Sequence, residues 1–218
     1  MDIPKTIDAS FVGANYALRA WHVSHLLKNG IDLHVYGPNW LPNKKIIHSH
    51  RLKRIKYIVD AIFQRYMHEK HKASANLANL DLWRSLLHRY PDNFHPAVSD
   101  QELIELYSSS HISLGFLEVY EGHDRTSVTK QHLHLREFEA PMCGALYCTG
   151  YSDELAEMFE PDKEVIVYKN EHELIDKVSY YLKKPAEAEA IRLAGYKRAI
   201  TEHTYHLRYI NLFKELAY

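Results

Sequence analysis

Ala9-Ser10-Phe11-Val12-Gly13-Ala14, then Tyr16, Leu18, Trp21, Val23 and His25 to Leu27, then Asn29-Gly30 and Ile31 to Tyr36 before Gly37-Pro38, is the stretch that decides the fold. It opens with a short apolar run that stops at a glycine. Its middle repeats apolar residues at helical spacing and closes on Asn29-Gly30, a C-terminal stop. Ile31 to Tyr36 alternates Ile, Leu and Val with Asp and His, as a strand does, and Gly37-Pro38 ends it. Strand, helix and strand with short connections form the βαβ unit of a parallel sheet. The expected class is α/β, three layers around a mostly parallel sheet.

Downstream, residues 43 to 95 break this rhythm and read as a helical insertion. Lys44, Lys45, Arg51, Lys53, Arg54 and Lys56 form a basic stretch leading into Ile55, Ile58, Val59, Ile62, Phe63 and Tyr66, one face of an amphipathic helix. Leu77 to Leu87 reads as a second helix, and Pro91 and Pro96 bound a loop. The basic block has two readings. One is a solvated helix with an apolar inner face; the other is peripheral contact with an anionic membrane or lipid-linked acceptor. Beyond it the α/β alternation resumes. Ser99-Asp100-Gln101-Glu102 signals a helix start before Leu103 to Tyr107. His111 to Leu117 reads as a strand, Glu118 to Thr129 as a polar loop, Gln131 to Cys143 as a helix closed by Gly144, and Ala145 to Thr149 as a strand. Asp153 to Phe159 reads as a helix, Glu164 to Tyr168 as a strand and Glu171 to Leu182 as a helix. The tail from Ala186 to about residue 217 is helical with a break at His203-Thr204-Tyr205. All 218 residues are expected to form a single domain.

Composition narrows the function classes. Lys plus Arg is 27 against 28 for Asp plus Glu, so bulk-charge binding of nucleic acid is not expected. Sixteen histidines would carry the formal charge from −1 to +15 on full protonation, so solution behaviour should change between about pH 7.5 and 5.5. Two cysteines, Cys143 and Cys148, make neither a disulfide framework nor a CxxC metal pair, and a reducing cytoplasmic setting is the simplest expectation. Met1 to Lys5 has no apolar core of a signal peptide, and no apolar run approaches the about 20 residues that cross a bilayer.

Three clusters can carry chemistry. Gly13, where the first strand empties toward a helix, lets backbone approach a phosphate or simply makes a tight turn. Arg19, in the following helix, can reach a phosphate oxygen or stand in solvent. Arg136 and Glu139, three apart, share a helix face. They form either a local ion pair or, at the carboxyl edge of the sheet, a guanidinium for a diphosphate beside a carboxylate for ribose hydroxyls. Glu202-His203-Thr204-Tyr205 with Arg208 reads as packing or as a third polar site. With no GxGxxG after the first strand, a dinucleotide-dependent oxidoreductase is disfavoured.

Arg136-x-Phe-Glu139-Ala-Pro-x-Cys-Gly144-Ala, then Glu154-Leu-x-Glu-Met-Phe-Glu-Pro-x-Lys163-Glu164-Val-x-Val-Tyr168, resembles the carboxyl-terminal domain of GT-B glycosyltransferases, and within them a CgeB-like, group 1 type. The likeness continues through Glu173-Leu, Tyr180-Tyr-Leu, Ala194-Gly195 and His203-Thr-Tyr-x-x-Arg208. Ser10-Phe-Val-Gly13-Ala, Arg19, Gly30-Ile and Tyr36-Gly37-Pro-Asn-Trp40 resemble the start of the same domain. The resemblance implies a Rossmann-like half of a GT-B fold that binds a nucleoside-diphosphate sugar. It places Glu139 at the donor ribose, Gly13 and Gly144 in the nucleotide-sugar site, and Arg19 and Arg136 beside the diphosphate. The loop residues His123, Asp124 and Arg125 would face the donor sugar or solvent. Gln131, separated from Glu139 by seven residues, stands where many retaining enzymes of this type carry a second glutamate. An amide cannot supply that carboxylate's charge. The resemblance further implies transfer without a metal or other cofactor, to a glycan, lipid-linked or protein acceptor, with an N-terminal acceptor domain or a partner chain completing the enzyme. A non-catalytic interaction module that has lost donor binding is the alternative.

Overall fold

The computed structural model describes residues 4–41, 55, 72–120 and 129–216. The leading strand, β1 (Ile7–Val12), is buried on both faces from Ala9 onward, as a central strand of a parallel sheet must be. Helix α1 (Arg19–Lys28) follows, buries Ala20, Val23, Leu26 and Leu27, and ends at Gly30 with φ +79°. Strand β2 is Leu33–Tyr36, with Leu33 and Val35 inward and His34 and Tyr36 less buried. Helix α2 (Lys72–Arg89), a 3-10 turn at Pro91–Asn93 and strand β3 (Phe94–His95) come next. Strand β3 pairs in parallel with β2, Val35 opposite Phe94 and Tyr36 opposite His95. The block read as a helical insertion therefore ends in a sheet strand, and α2 belongs to the β2–β3 crossover. The basic stretch and the helical pattern around Ile58 lie outside the described residues.

Helix α3 (Asp100–Ser109) starts with the expected capping box: Ser99 Oγ accepts from the Glu102 N–H while the Glu102 carboxylate accepts from the Ser99 N–H at 2.7 Å. Strand β4 (Ser110–Leu114) follows. The segment expected as a polar loop instead carries two short strands, β5 (Glu118–Tyr120) and β6 (Thr129–Gln131), which pair in a separate two-stranded sheet. Helix α4 is shorter than expected, Arg136–Met142. Its first five expected residues are drawn off: Gln131 lies in β6, and the His132 N–H donates to the Leu117 carbonyl (3.2 Å). Strand β7 (Tyr147–Gly150), helix α5 (Asp153–Met158), strand β8 (Ile166–Tyr168) and helix α6 (Glu171–Leu182) complete the alternation. Helices α7 (Pro185–Glu202) and α8 (Tyr205–Leu216) form the tail, divided where expected.

The six-stranded sheet is parallel, in the order β3-β2-β1-β4-β7-β8. Right-handed crossovers in that order put helices on both faces, and the order reverses between β1 and β4. The architecture is Rossmann-like α/β. Two compact units are distinguished: Met1–Phe11, Ser99–Leu117 and Gln131–Tyr218 form the first, Val12–Val98 and Glu118–Lys130 the second. The first contains β1 paired with β4, and β4, β7 and β8 in succession. One of its cores joins Phe138, Leu155, Phe159, Val165, Val167 and Ala199. Among the described residues no helix is long and apolar enough to cross a membrane.

Candidate functional site

In open parallel sheets, ligands bind beyond the carboxyl ends of the strands, where strand order reverses. In the first unit that edge is dense. Strand β4 runs out into Gly115, whose N–H donates to the Cys148 carbonyl at 2.8 Å and whose carbonyl accepts the Tyr168 hydroxyl at 3.1 Å. A Cβ at Gly115 would lie 2.1 Å from Tyr147 Oη and 2.8 Å from Thr149 Oγ1, so the edge closes only around a glycine. The Thr149 hydroxyl is fully buried and makes no hydrogen bond among the described residues.

Helix α4 lies in the connection between the parallel neighbours β4 and β7, and a helix in such a crossover starts at the carboxyl edge of the sheet and ends at the amino edge. Arg136, the first helical residue, is half-buried, and Glu139 is exposed one turn later. Both act on the buried Tyr107 phenol of α3. Burial pushes that phenol up to about 12, Arg136 pulls it back, and Glu139 adds to the rise. Three positions apart in α4, the two side chains occupy neighbouring positions of one helical turn.

Gly144 is placed differently. It closes α4 at the amino edge with φ +76°, and its carbonyl accepts Arg192 Nη1 at 3.3 Å. It lines a cavity of about 510 Å³ with Lys5, Ser108, Glu189 and Arg192, at the far end of α4 from Arg136. There it makes a left-handed helix stop.

In the second unit, the turn after β1 is braced by the segment after β2. The Gly13 N–H donates to the Tyr36 carbonyl (2.8 Å), the Gly13 carbonyl accepts Trp40 Nε1 (2.6 Å), and the Asn15 N–H donates to Pro38 O (3.1 Å). The Trp40 carbonyl in turn accepts Trp83 Nε1 at 2.9 Å. Gly13's own amide proton is therefore engaged in the turn rather than turned outward to a phosphate. Arg19 is the first residue of α1, earlier in the helix than its apolar pattern implied. Its Nη1 donates to the Ala14 carbonyl (3.1 Å), and its guanidinium lies 6.0 Å from the Tyr16 ring centre.

Two buried polar pairs were not legible in the sequence. In the second unit His22 Nε2 and Glu118 Oε1 meet at 2.9 Å, from α1 and β5. Burial alone would raise the Glu118 carboxyl. The His22 hydrogen bond, with the charges of His22 and Arg19, outweighs that and holds it below the usual carboxylate value. In the first unit Glu137, on the turn that carries Arg136 and Glu139, is buried and accepts from Tyr147 Oη at 3.0 Å. These partners are 96 and 10 residues apart, and no local spacing signals them. His203 is a core residue: Nε2 donates to the Met158 carbonyl (2.8 Å), and its ring packs on Phe138 and Phe159. Arg208 lies 4.1 Å from the Phe138 ring centre. The His203-to-Arg208 run therefore clasps the tail onto α4 and α5. His123, Asp124 and Arg125 lie outside the described residues, and of Gln131 only the backbone, in β6, is described. Among the described residues no three His, Cys, Asp or Glu side chains are grouped to hold a metal ion.

The fold recurs in solved glycosyltransferases. AviGT4, a glycosyltransferase involved in avilamycin A biosynthesis, superposes with a TM-score of 0.55 at 15% identity, over 99% of this chain and 53% of its own. Sucrose-phosphate synthase from Thermosynechococcus elongatus gives 0.57 at 12%, over 99% and 46%. The C-terminal domain of the glycosyl transferase group 1 family protein LpcC from Francisella tularensis gives 0.54 at 12%, over 93% and 89%. The chain thus spans about half the length of the first two and nearly all of an isolated C-terminal domain, and its architecture is one half of a GT-B fold. No curated protein matches the sequence. The sequence profile of the glycosyl transferase-like family, however, matches residues 18–214, nearly the whole α/β body described above. By that match the chain belongs to the glycosyl transferase-like family.

Proposed function

We propose that this chain binds the nucleoside-diphosphate sugar donor of a GT-B-type glycosyl transfer. The observation that carries the reading is the placement of Arg136 and Glu139 on one turn at the carboxyl edge, inside a stretch that matches the family profile. A carboxylate accepts two vicinal ribose hydroxyls, and a guanidinium forks onto phosphate oxygens. Glu139 is assigned to the ribose and Arg136 to the diphosphate. For Arg19 and Gly13, which belong to the second unit, a phosphate-contacting role rests on the sequence resemblance alone.

Catalysis in such a site is positioning plus stabilisation of the departing diphosphate. Guanidinium groups supply that charge here without a metal in the scheme. Gln131 holds the position where a second carboxylate would stand, so the reading commits to donor capture and to no stereochemical course. Because the chain spans half the length of AviGT4 and sucrose-phosphate synthase, acceptor binding is assigned to a further domain or a partner chain. Transfer by these residues alone is expected to be negligible.

Titration calorimetry with UDP, GDP, dTDP and their sugars tests the reading. One of them should bind, and Glu139→Ala should weaken it by about 1–3 kcal/mol, the range for a lost polar contact to a bound group. A folded protein that takes up none of these nucleotides would refute donor binding and favour an interaction module.

A further inference from the structure

Glu137 stands between Arg136 and Glu139 in sequence and on the opposite side of the turn. Arg136 is half-buried and Glu139 exposed, whereas Glu137 is 1% exposed, in a row of buried residues with Phe138, Ala140 and Pro141. An aliphatic side chain would satisfy such a position at no electrostatic cost. The carboxyl is instead bridged between two elements. Its Oε2 accepts the His134 N–H at 2.6 Å, and its Oε1 accepts the Tyr147 hydroxyl at 3.0 Å. His134 precedes α4; Tyr147 opens β7, the neighbour of β4 in the sheet. The bridge therefore ties the start of α4 directly to a central strand.

Apolar packing fixes how far a helix lies from a sheet, but it tolerates small rotations about the helix axis. Two directional bonds to one carboxyl remove that freedom. A small rotation of this turn would swing Arg136 and Glu139 together, and misplacement by about 1 Å is enough to spoil a polar site. We infer that Glu137 is a positioning residue of the donor site: bridging the His134 N–H and the Tyr147 hydroxyl, it sets where Arg136 and Glu139 stand. The inference rests on the donor reading above.

The surroundings agree. Tyr147 from β7, Tyr107 from α3, and Arg136 and the His134 backbone from α4 and its approach are the polar groups that interact with Glu137 electrostatically. Burial pushes the carboxyl up to about 7, against the His134 and Tyr147 hydrogen bonds and the Arg136 charge, which pull it down. The group is thus costly to ionise, and what it contributes is direction rather than a large gain in stability.

The experiment compares nucleoside diphosphate affinity, by calorimetry with UDP, GDP and dTDP at a temperature well below melting, across three variants. Glu137→Leu keeps the volume and loses both bonds, and its affinity should fall about 10-fold or more. Tyr147→Phe loses one bond and should cost about fivefold. Glu137→Gln should restore affinity to within about threefold, because its amide oxygen accepts the His134 N–H and its NH2 donates to the tyrosine oxygen. A purely structural residue would lower the melting temperature and leave affinity unchanged. Should Glu137→Leu not fold, Tyr147→Phe decides. Unchanged affinity in the folded variants, or Glu137→Gln as weak as Glu137→Leu, overturns the inference while leaving the donor reading intact. A wild-type chain that binds no nucleotide removes both.

Discussion

Gly195 of α7 lies against the backbone of Glu164: a Cβ on Gly195 would stand 2.1 Å from the Glu164 carbonyl oxygen. Such a contact is impossible for a real side chain, and the obstacle is backbone that cannot swing aside. The glycine lets α7 seat on the segment before β8. Arg198 uses that proximity, donating to the Met158 carbonyl at 3.1 Å and pairing with Glu164. Gly195→Ala has only to add one methyl group to force α7 outward. Its cost should be about 2–3 kcal/mol or more, the upper range for overpacking, read from the midpoint of urea unfolding. A midpoint equal to wild type would show that α7 does not seat where the structure puts it.

Gly37→Ala tests the brace of the second unit. Gly37 has φ +144°, and a Cβ there would come within 2.4 Å of the Gly13 carbonyl oxygen. Strain and clash act together, so the loss should exceed about 2 kcal/mol. Trp40→Phe takes away the indole donor to Gly13 and also part of a fully buried ring, and should cost about 2–3 kcal/mol. A Gly37→Ala chain as stable as wild type would argue against the close approach.

The two buried carboxyls should give opposite pH signatures. Glu137 is raised from 4.5 to about 7 in the folded chain, so between those values the folded state holds a proton the unfolded state has released. Its contribution is fully present below about pH 4.5 and is lost as pH rises through about 7. Up to about 3 kcal/mol is at stake. Glu118 is shifted down, so its stabilisation is present above the ordinary carboxylate range and is lost as pH falls through its folded value. Urea denaturation of wild type and Glu137→Gln from pH 4.5 to 8 reads the difference. Glu137→Gln should gain on wild type as pH rises, and parallel curves would contradict the burial of an ionising group.

Breaking the His22–Glu118 pair should be expensive. Their side chains are 3% and 11% exposed, and Glu118→Ala leaves His22 buried without its carboxylate. A loss of about 3 kcal/mol is expected. A double-mutant cycle with His22→Ala should show coupling of about 1 kcal/mol or more, and additivity of the two losses would show that the contact contributes nothing.

Much of this molecule follows from local chemistry. Helix α6 lies where its apolar spacing and Asn170 cap put it, with Asn170 Oδ1 accepting from the Glu173 N–H at 3.0 Å. The Ser99 capping box, the Gly30 stop and the break at His203 are local too, because each depends on residues within one turn of chain. The face shared by Arg136 and Glu139 belongs to the same class: helical period alone puts them side by side. Strand β3 escaped because two residues, Phe94 and His95, are too few to show a period. Strands β5 and β6, at three residues each, escaped for the same reason. The late start of the expected helix, at Arg136 instead of Gln131, goes with a hydrogen bond from the His132 N–H to Leu117, a residue of the preceding strand's exit.

Burial by distant chain settled the rest. Glycines 37, 115 and 195 are needed because segments far away in sequence press on them. Glu137 and Glu118 look like surface acids in the sequence, and become buried pivots only when Tyr147 and His22 close over them. A residue's neighbours along the chain set its conformation and its face. The dielectric around it, and hence what its charge can do, is set by whatever folds against that face.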